Sequence, residues 1–432
     1  MDGIQGWHPG ERAIQKKLDF DGPMSMAWTW IDPSMPEEHR IFHSRNLYFL
    51  PLSSLDAEGR PWGSILAAKD GKPGFIRSPT ETTLDVSFRT WEGDPWAENY
   101  ETWRSHADEK FLVAGIGIEL GTRRRNKLAG WVSQVKQVGQ NDYFAKLHVN
   151  QAIGNCPKYI NIRELVPYPE TRSEVVYRNL HVGEQDRLPD ELIQFILDAD
   201  TVYLSSSYDA KPEHAAKFPS HMGMNQRGGR PGFVRVSPSD GRTIILPDFS
   251  GNRLLSSLGN IEYTPRAGLT LIEYTSGSVL YLTGTATTLV GDAALALMPR
   301  QKMLTAITVT GYAFVHDALP VRQRPETTPI RSPYSPPIKL LREEMGEAGR
   351  LFDQESTTVL LRRIEILSPT LATFEWEVDG EKPLAIQPGQ AAILDFSDFL
   401  GKPGYQHMAP LAPSSVNDDR IRTWTVSDAA SP

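Results

Sequence analysis

The residues best suited to chemistry lie between positions 221 and 269. The chain there reads His221-Met-Gly-Met-Asn-Gln-Arg227-Gly-Gly-Arg230-Pro-Gly-Phe-Val-Arg235-Val, then Thr243-Ile-Ile-Leu-Pro247-Asp248-Phe-Ser-Gly251-Asn252-Arg253, then Leu254-Leu-Ser256-Ser-Leu-Gly. A strand ending in a Gly-Asn-Arg turn and followed by a short serine-bearing helix offers backbone amides, a guanidinium fork and hydroxyls in one place. That combination suits a monophosphate. The competing reading is an ordinary turn with a solvated arginine. Arg227 and Arg230, flanking Gly228-Gly229, divide the same way between loop residues and anion contacts. So does the run Arg123-Arg-Arg-Asn-Lys127, a solvated loop or a contact to an anionic ligand.

Other chemistries find less support. His8, His39, His43 and His221 show no metal-ligand spacing, so no metal is expected. Cys156, the single cysteine, excludes an intrachain disulfide framework and reads as inert packing rather than a nucleophile. No Gly-rich βαβ fingerprint for a dinucleotide occurs, and no catalytic base stands out. A net charge of -8 disfavours a nucleic-acid or anionic-membrane surface. The N-terminus lacks the pattern of a secretory signal, and no run approaches the roughly 18 apolar residues of a membrane span. A cytoplasmic protein is the expectation.

The elements that must position these groups are repeated. Pro36-Glu-Glu-His, Phe42 and Leu47 to Ala57 recur as Pro189-Asp-Glu-Leu, Phe195 and Thr201 to Ala210. Lys72-Pro-Gly-Phe-Ile-Arg77 recurs as Arg230-Pro-Gly-Phe-Val-Arg235. Internal duplication follows. Each copy opens with a helix, clearer at Leu192–Leu197, and continues into short strands. In the second copy these fall near 201–207, 232–236, 242–247, 267–274 and 277–285, with a hairpin turn at Ser276-Gly277. Leu112–Glu119 and Tyr143–Val149 are candidates in the first. Many short antiparallel strands with few helices predict a mainly β fold of barrels. The Pro-rich stretch from 320 to 337 reads as a linker, Lys339–Phe352 as a short helix, and 357 to 396 as fresh strands. The expected domains are 1–180, 181–320, a linker over 321–355, and 356–432.

The series Arg227 to Val236, Pro247 to Arg253 and Gly259-Asn-Ile…Pro265-Arg-Ala-Gly-Leu269 resembles the pyridoxamine-phosphate-oxidase-like FMN-binding split barrels. Gly117 to Asn126 and Gly154-Asn-Cys-Pro-Lys-Tyr-Ile160 are similar to motifs of the same family. The resemblance covers roughly residues 35–320. It implies two split barrels forming a pseudo-dimer within one chain, FMN in the groove between them, and an oxidoreductase working on a small molecule or an electron-transfer partner. It further implies Arg235 and Arg253 on the phosphate, with Asn252 and Ser256 as neutral donors and Arg227 nearby. Pro247 and Asp248 would run along the ribityl chain or ring edge, with Trp62 and Ser64 closing the far side. Relatives commonly carry Asn-Pro-Arg at Thr264-Pro-Arg, and Ser-His where Asn225-Gln226 stands. The alternative is a non-enzymatic flavin- or tetrapyrrole-binding carrier or sensor, and either a monomer or a homodimer fits.

The C-terminal stretch Leu367 to Trp376, Ile386-Gln-Pro-Gly-Gln390 and Arg422-Thr-Trp424-Thr425-Val-Ser427 resembles the FAD-binding barrel of ferredoxin-reductase-type enzymes. There Arg422 would meet the diphosphate of FAD, Trp424 would lie against the ring, and Thr425 or Ser427 would hydrogen-bond it. The phosphate-binding helix and nicotinamide domain do not follow, so an incomplete unit is expected.

Overall fold

The computed structural model describes residues 4–105, 109–346, 357–379, 387–400 and 407–428. The chain forms two compact units, one of residues 1–343 with 407–417 and one of 344–406 with 418–432. The fold is mainly β, with a closed six-stranded antiparallel barrel.

In the larger unit, helix α1 (Pro9–Lys17) and helix α2 (Glu37–Arg45) precede the first barrel. Its strands are β1 (Phe49–Leu55), β2 (Pro61–Ala67), β3 (Ile76–Thr80), β4 (Thr83–Arg89), β5 (Phe111–Glu119), β6 (Arg124–Gln137) and β7 (Asp142–Asn155), with helix α3 (Pro95–Arg104) between β4 and β5. Two short strands follow, β8 (Leu165–Pro167) and β9 (Glu174–Asn179). Helix α4 (Asp190–Asp198) opens the second copy. The copy continues with β10 (Thr201–Tyr208), α5 (Pro212–Ala215), β11 (His221–Gly228), β12 (Arg235–Val236), β13 (Thr243–Pro247), α6 (Ser256–Tyr263), β14 (Arg266–Glu273), β15 (Ser278–Val290), α7 (Asp292–Leu297) and β16 (Met303–His316).

The two sheets have the same strand order. The first runs β2-β1-β5-β6-β7-β4-β3 and the second β11-β10-β14-β15-β16-β13-β12. Each copy also places a helix before its first strand and another between its fourth and fifth. The repeat seen in the sequence is thus a repeat of topology. The first sheet closes through a pairing of Ala67 in β2 with Arg89 in β4. The second instead gains β9 along β16. Residues 174–179, expected in the first domain, are therefore hydrogen-bonded into the second.

Each barrel has its own apolar interior, around Leu50, Val86, Val113 and Leu147 in one and Leu204, Ile244, Leu269 and Ile307 in the other. A third buried cluster joins them. It mixes Phe49, Ile65, Trp91 and Ile116 with Tyr203, Met224, Tyr274, Tyr281 and Val315. Burial at this scale is what holds two barrels together as one body. Polar contacts fix their register. Tyr281 OH donates to Asp94 Oδ2 (2.9 Å) while accepting from Trp91 Nε1 (3.0 Å), and Thr270 Oγ1 donates to the Gly63 carbonyl (2.6 Å).

The Pro-rich stretch expected to be a linker lies along this same unit. Strand β17 (Val321–Gln323) pairs with β8, and Ile330 bridges Ile162. Prolines remove some donors, yet the amides of Gln323, Arg324 and Ile330 donate to backbone carbonyls of this unit, and Ser332 and Tyr334 are buried. The expected helix over Lys339–Phe352 is a 3-10 turn at Arg342–Glu344, and residues 347–352 lie outside the described residues.

In the smaller unit, β18 (Val359–Ser368) pairs with β19 (Leu371–Val378), and β20 (Ala391–Asp395), followed by α8 (Ser397–Leu400), pairs with β21 (Ile421–Thr425). Phe374, Trp376, Phe396 and Trp424 stack in a small aromatic cluster, Trp424 lying 4.7 Å from Phe374. Among the described residues this unit holds one hairpin, β18–β19, and a second antiparallel pair, β20–β21, whose strands are distant in the chain.

Candidate functional site

A cleft opens where β5, β6 and β7 of the first barrel face β11 of the second. Its empty space, counted out to the open mouth, is about 940 Å³. Apolar wall is supplied by Ala114, Leu128 and Ala129 on one side and Met222 and Met224 on the other. Strand β11, at the edge of its sheet, alternates buried and half-buried positions, and both faces reach the cleft, Met222 and Met224 from the buried one and His221 and Gly223 from the other. Methionine's flexible thioether packs well against a flat apolar ligand.

The polar groups gather at the start of α6. Ser256 and Asn260 come from this helix, His221 from β11, and Lys127 from β6. The N-terminal segment supplies the rest. His8 caps α1 with Glu11 in a reciprocal box, and Pro9 stands at the first helical position, the signature of a helix start. Helix α1 lies directly against α6. A Cβ on Gly10 would stand 2.1 Å from the Gly259 carbonyl oxygen, and one on Gly259 would stand 2.5 Å from Glu11 Cγ. Only glycine at both positions allows this approach, and it delivers His8 and Glu11 to the cleft.

The electrostatics there are unusual. Burial pushes the Glu11 carboxyl up to about 8, against the opposing effect of hydrogen bonds from the His8 amide and Ser256. Burial brings Lys127 down to about 7, helped by the charges of Arg125 and Arg227. His8 is lowered to about 2, mainly by burial. Its Nε2 lies 3.0 Å from Asn260 Oδ1, and its ring lies tilted against Tyr208 with centroids 4.1 Å apart. His221 is lowered by burial as well. At neutral pH the two imidazoles are therefore neutral and Glu11 keeps its proton. Lys127 has no hydrogen-bonding partner among the described residues.

Behind Lys127 stands a row of cations. Arg125 donates through Nη1 to Gln226 Oε1, and Arg227 pairs with Asp248 at 2.9 Å. Lys158, almost fully buried, donates to the His407 carbonyl (2.6 Å). Burial lowers both Arg125 and Lys158, and each lies near other cations. Asp248 is the carboxylate that pairs with Arg227, and burial raises it despite that arginine.

The residues singled out in the sequence are spread more widely. Ser256 lines the cleft, and Arg227 with Asp248 borders its cationic end. Arg253 has a left-handed φ of 63° and lies over the Phe20 ring at 4.1 Å. Asn252 accepts from the Leu254 amide (3.2 Å), and Arg235 donates to the Gly232 carbonyl (3.2 Å). Pro247 pairs with Leu304 inside the second sheet. Segment 407–417 covers the Gly251 corner, where Asn417 Oδ1 accepts from the Ser250 amide (2.9 Å). Trp62 and Ser64 are buried in the first sheet, Trp62 Nε1 donating to Asp56 (2.8 Å). In the smaller unit Arg422 pairs with Asp418 (2.6 Å), Trp424 belongs to the aromatic cluster, and Thr425 pairs with Ala391. Sequence reading missed His8, Glu11, Asn260, Met222 and Met224. The His-Pro-Gly-Glu start of α1 was the one legible signal.

The fold defines a class: two β-barrels of one topology, joined in one chain with a cleft between them. No protein-family model matches the chain, and no curated protein matches it. Among solved structures, HupZ of Group A Streptococcus is 12% identical, covering 28% of this chain and 93% of its own, with a TM-score of 0.21. An F420 reductase is 11% identical, covering 27% of this chain and 98% of its own, with a TM-score of 0.20. Likeness at that level carries no functional argument. No helix among the described residues is long and apolar enough to cross a membrane.

Proposed function

We propose that the inter-barrel cleft binds flavin mononucleotide and that the protein is an FMN-dependent oxidoreductase acting on a small molecule or an electron-transfer partner. The observation that carries this reading is Lys127. It is a lysine on the wall of an apolar cleft, without a hydrogen-bonding partner among the described residues and backed by Arg125 and Arg227. An anionic tail would restore its full charge and accept its protons. Ser256 and Asn260 would add neutral donors, while Met222, Met224, Ala114 and Leu128 would enclose a flat ring. Protonated Glu11 and neutral His8 leave the site free of negative charge at neutral pH, which suits an anion. A bound flavin would supply hydride or electron transfer; the chain's residues bind it, orient it and keep water from the apolar wall.

The test is to release and identify the small molecule that accompanies native protein. FMN in near-stoichiometric amount supports the reading. Protein free of flavin, with no FMN-dependent rise in melting temperature, defeats it, because a ligand that binds only the folded state must stabilise it. Reoxidation of the reduced flavoprotein by a substrate separates an enzyme from a carrier.

A further inference from the structure

We infer that Arg123, Arg230 and Arg331 form a second oxyanion site, for the phosphate group of a small ligand, apart from the inter-barrel cleft. Three segments far apart in the chain converge there. Arg123 occupies the turn between β5 and β6 with a φ of 59°, and its Nη2 donates to the Arg331 carbonyl (3.3 Å). Arg230 follows Gly228-Gly229 at the end of β11. Asn161 ties the latter two segments together: its Nδ2 donates to the Gly229 carbonyl (3.0 Å) while its Oδ1 accepts from the Ser332 amide (2.9 Å). Arg230 and Arg331 are thus each one residue from a group held by the same carboxamide.

No carboxylate forms an ion pair with any of the three among the described residues. Asp200 is close in the chain fold, since its carbonyl accepts from the Gly229 amide (3.0 Å). Its carboxylate is taken by Arg163 (2.7 Å) and Thr201 (2.9 Å). The Nε atoms of Arg123 and Arg230 are buried and find no hydrogen-bond acceptor. A buried, unsatisfied donor on a guanidinium is costly. Burial lowers Arg230, and the charge of Arg331 lowers it further, as expected of two cations held near each other without an anion. In a chain of net charge -8, three unpaired arginines at one corner are no product of excess base. A tetrahedral dianion matches several guanidinium forks at once, whereas a single carboxylate satisfies one. The net charge of -8 disfavours a nucleic-acid partner, so the ligand is taken as small.

Inorganic phosphate and pyrophosphate would be titrated calorimetrically into the full chain carrying Lys127→Ala, which removes the cation of the cleft. Saturable binding is expected, weakened roughly tenfold by Arg331→Ala and again by Arg230→Gln, the loss of one charge-assisted hydrogen bond each. Arg331 is exposed, so Arg331→Ala should keep the parent melting temperature. Absence of saturable binding by both ions, or binding that neither arginine change weakens, overturns the inference. FMN binding is read separately in the wild type, so a failure there leaves this corner untouched.

Discussion

Replacing Glu11 by glutamine tests the electrostatics of the cleft without removing a side chain. The carboxyl titrates near 4.5 in an ordinary setting and near 8 in the folded protein, a gap of about 3.5 pH units. Its folded value is raised, so its contribution to stability is fully present below 4.5 and lost as pH rises toward 8. Over that window the unfolded chain has released the proton and the folded chain has not. Each pH unit costs the wild type about 1.4 kcal/mol relative to a side chain that cannot ionise, a ceiling of about 5 kcal/mol across the window. Coupling to Lys127 will reduce this, and about 2 kcal/mol would suffice to establish it. Glutamine can accept from the His8 amide as the acid does, so the two proteins should be nearly equal at pH 5. Urea midpoints at pH 5, 6, 7 and 8 would read the difference, with the variant increasingly favoured as pH rises. A constant difference would refute the raised carboxyl. A variant that loses ground with rising pH would show instead an ionised Glu11 paired with Lys127.

Three further outcomes follow from the same structure. Arg227→Ala leaves Asp248 buried without its partner and should cost about 3 kcal/mol in urea denaturation, most of it recovered when Asp248→Asn is added; no recovery would mean that Arg227 acts through packing alone. Tyr281→Phe deletes the hydroxyl that links Asp94 and Trp91 across the barrels and should cost about 1–3 kcal/mol, whereas a neutral result would mean that this hydroxyl adds nothing to the join. FMN affinity should fall as pH rises above about 7, because Lys127 loses its proton there; affinity flat from pH 6 to 9 would remove Lys127 from the phosphate.

Much of the fold was legible because the duplication repeats local chemistry. Pro36-Glu-Glu and Pro189-Asp-Glu each start a helix, and the runs at 49–55 and 201–208 are strands whose sheets share one order. Strand β11 was not legible. His221 to Gly228 holds no β-branched residue, and its buried face is Met222, Met224, Gln226 and Gly228, so neither composition nor hydrophobic alternation marks it. The cleft was half legible. Ser256 follows a recognisable Gly-Asn-Arg run and Arg227 precedes a Gly-Gly pair, but His8 meets Asn260 across 252 residues, and nothing local records such a contact. The Pro-rich stretch misled for a related reason: its partners in β8 and at Ile162 lie more than 150 residues earlier in the chain.

The most direct test of the account is a titration of FMN into wild type and into Lys127→Ala at pH 7, followed by quenching of flavin fluorescence. Saturable binding by the wild type, weakened about tenfold or more by the loss of one charge-assisted contact, is the predicted result. Equal affinity in both proteins, or no saturable binding in either, would contradict it.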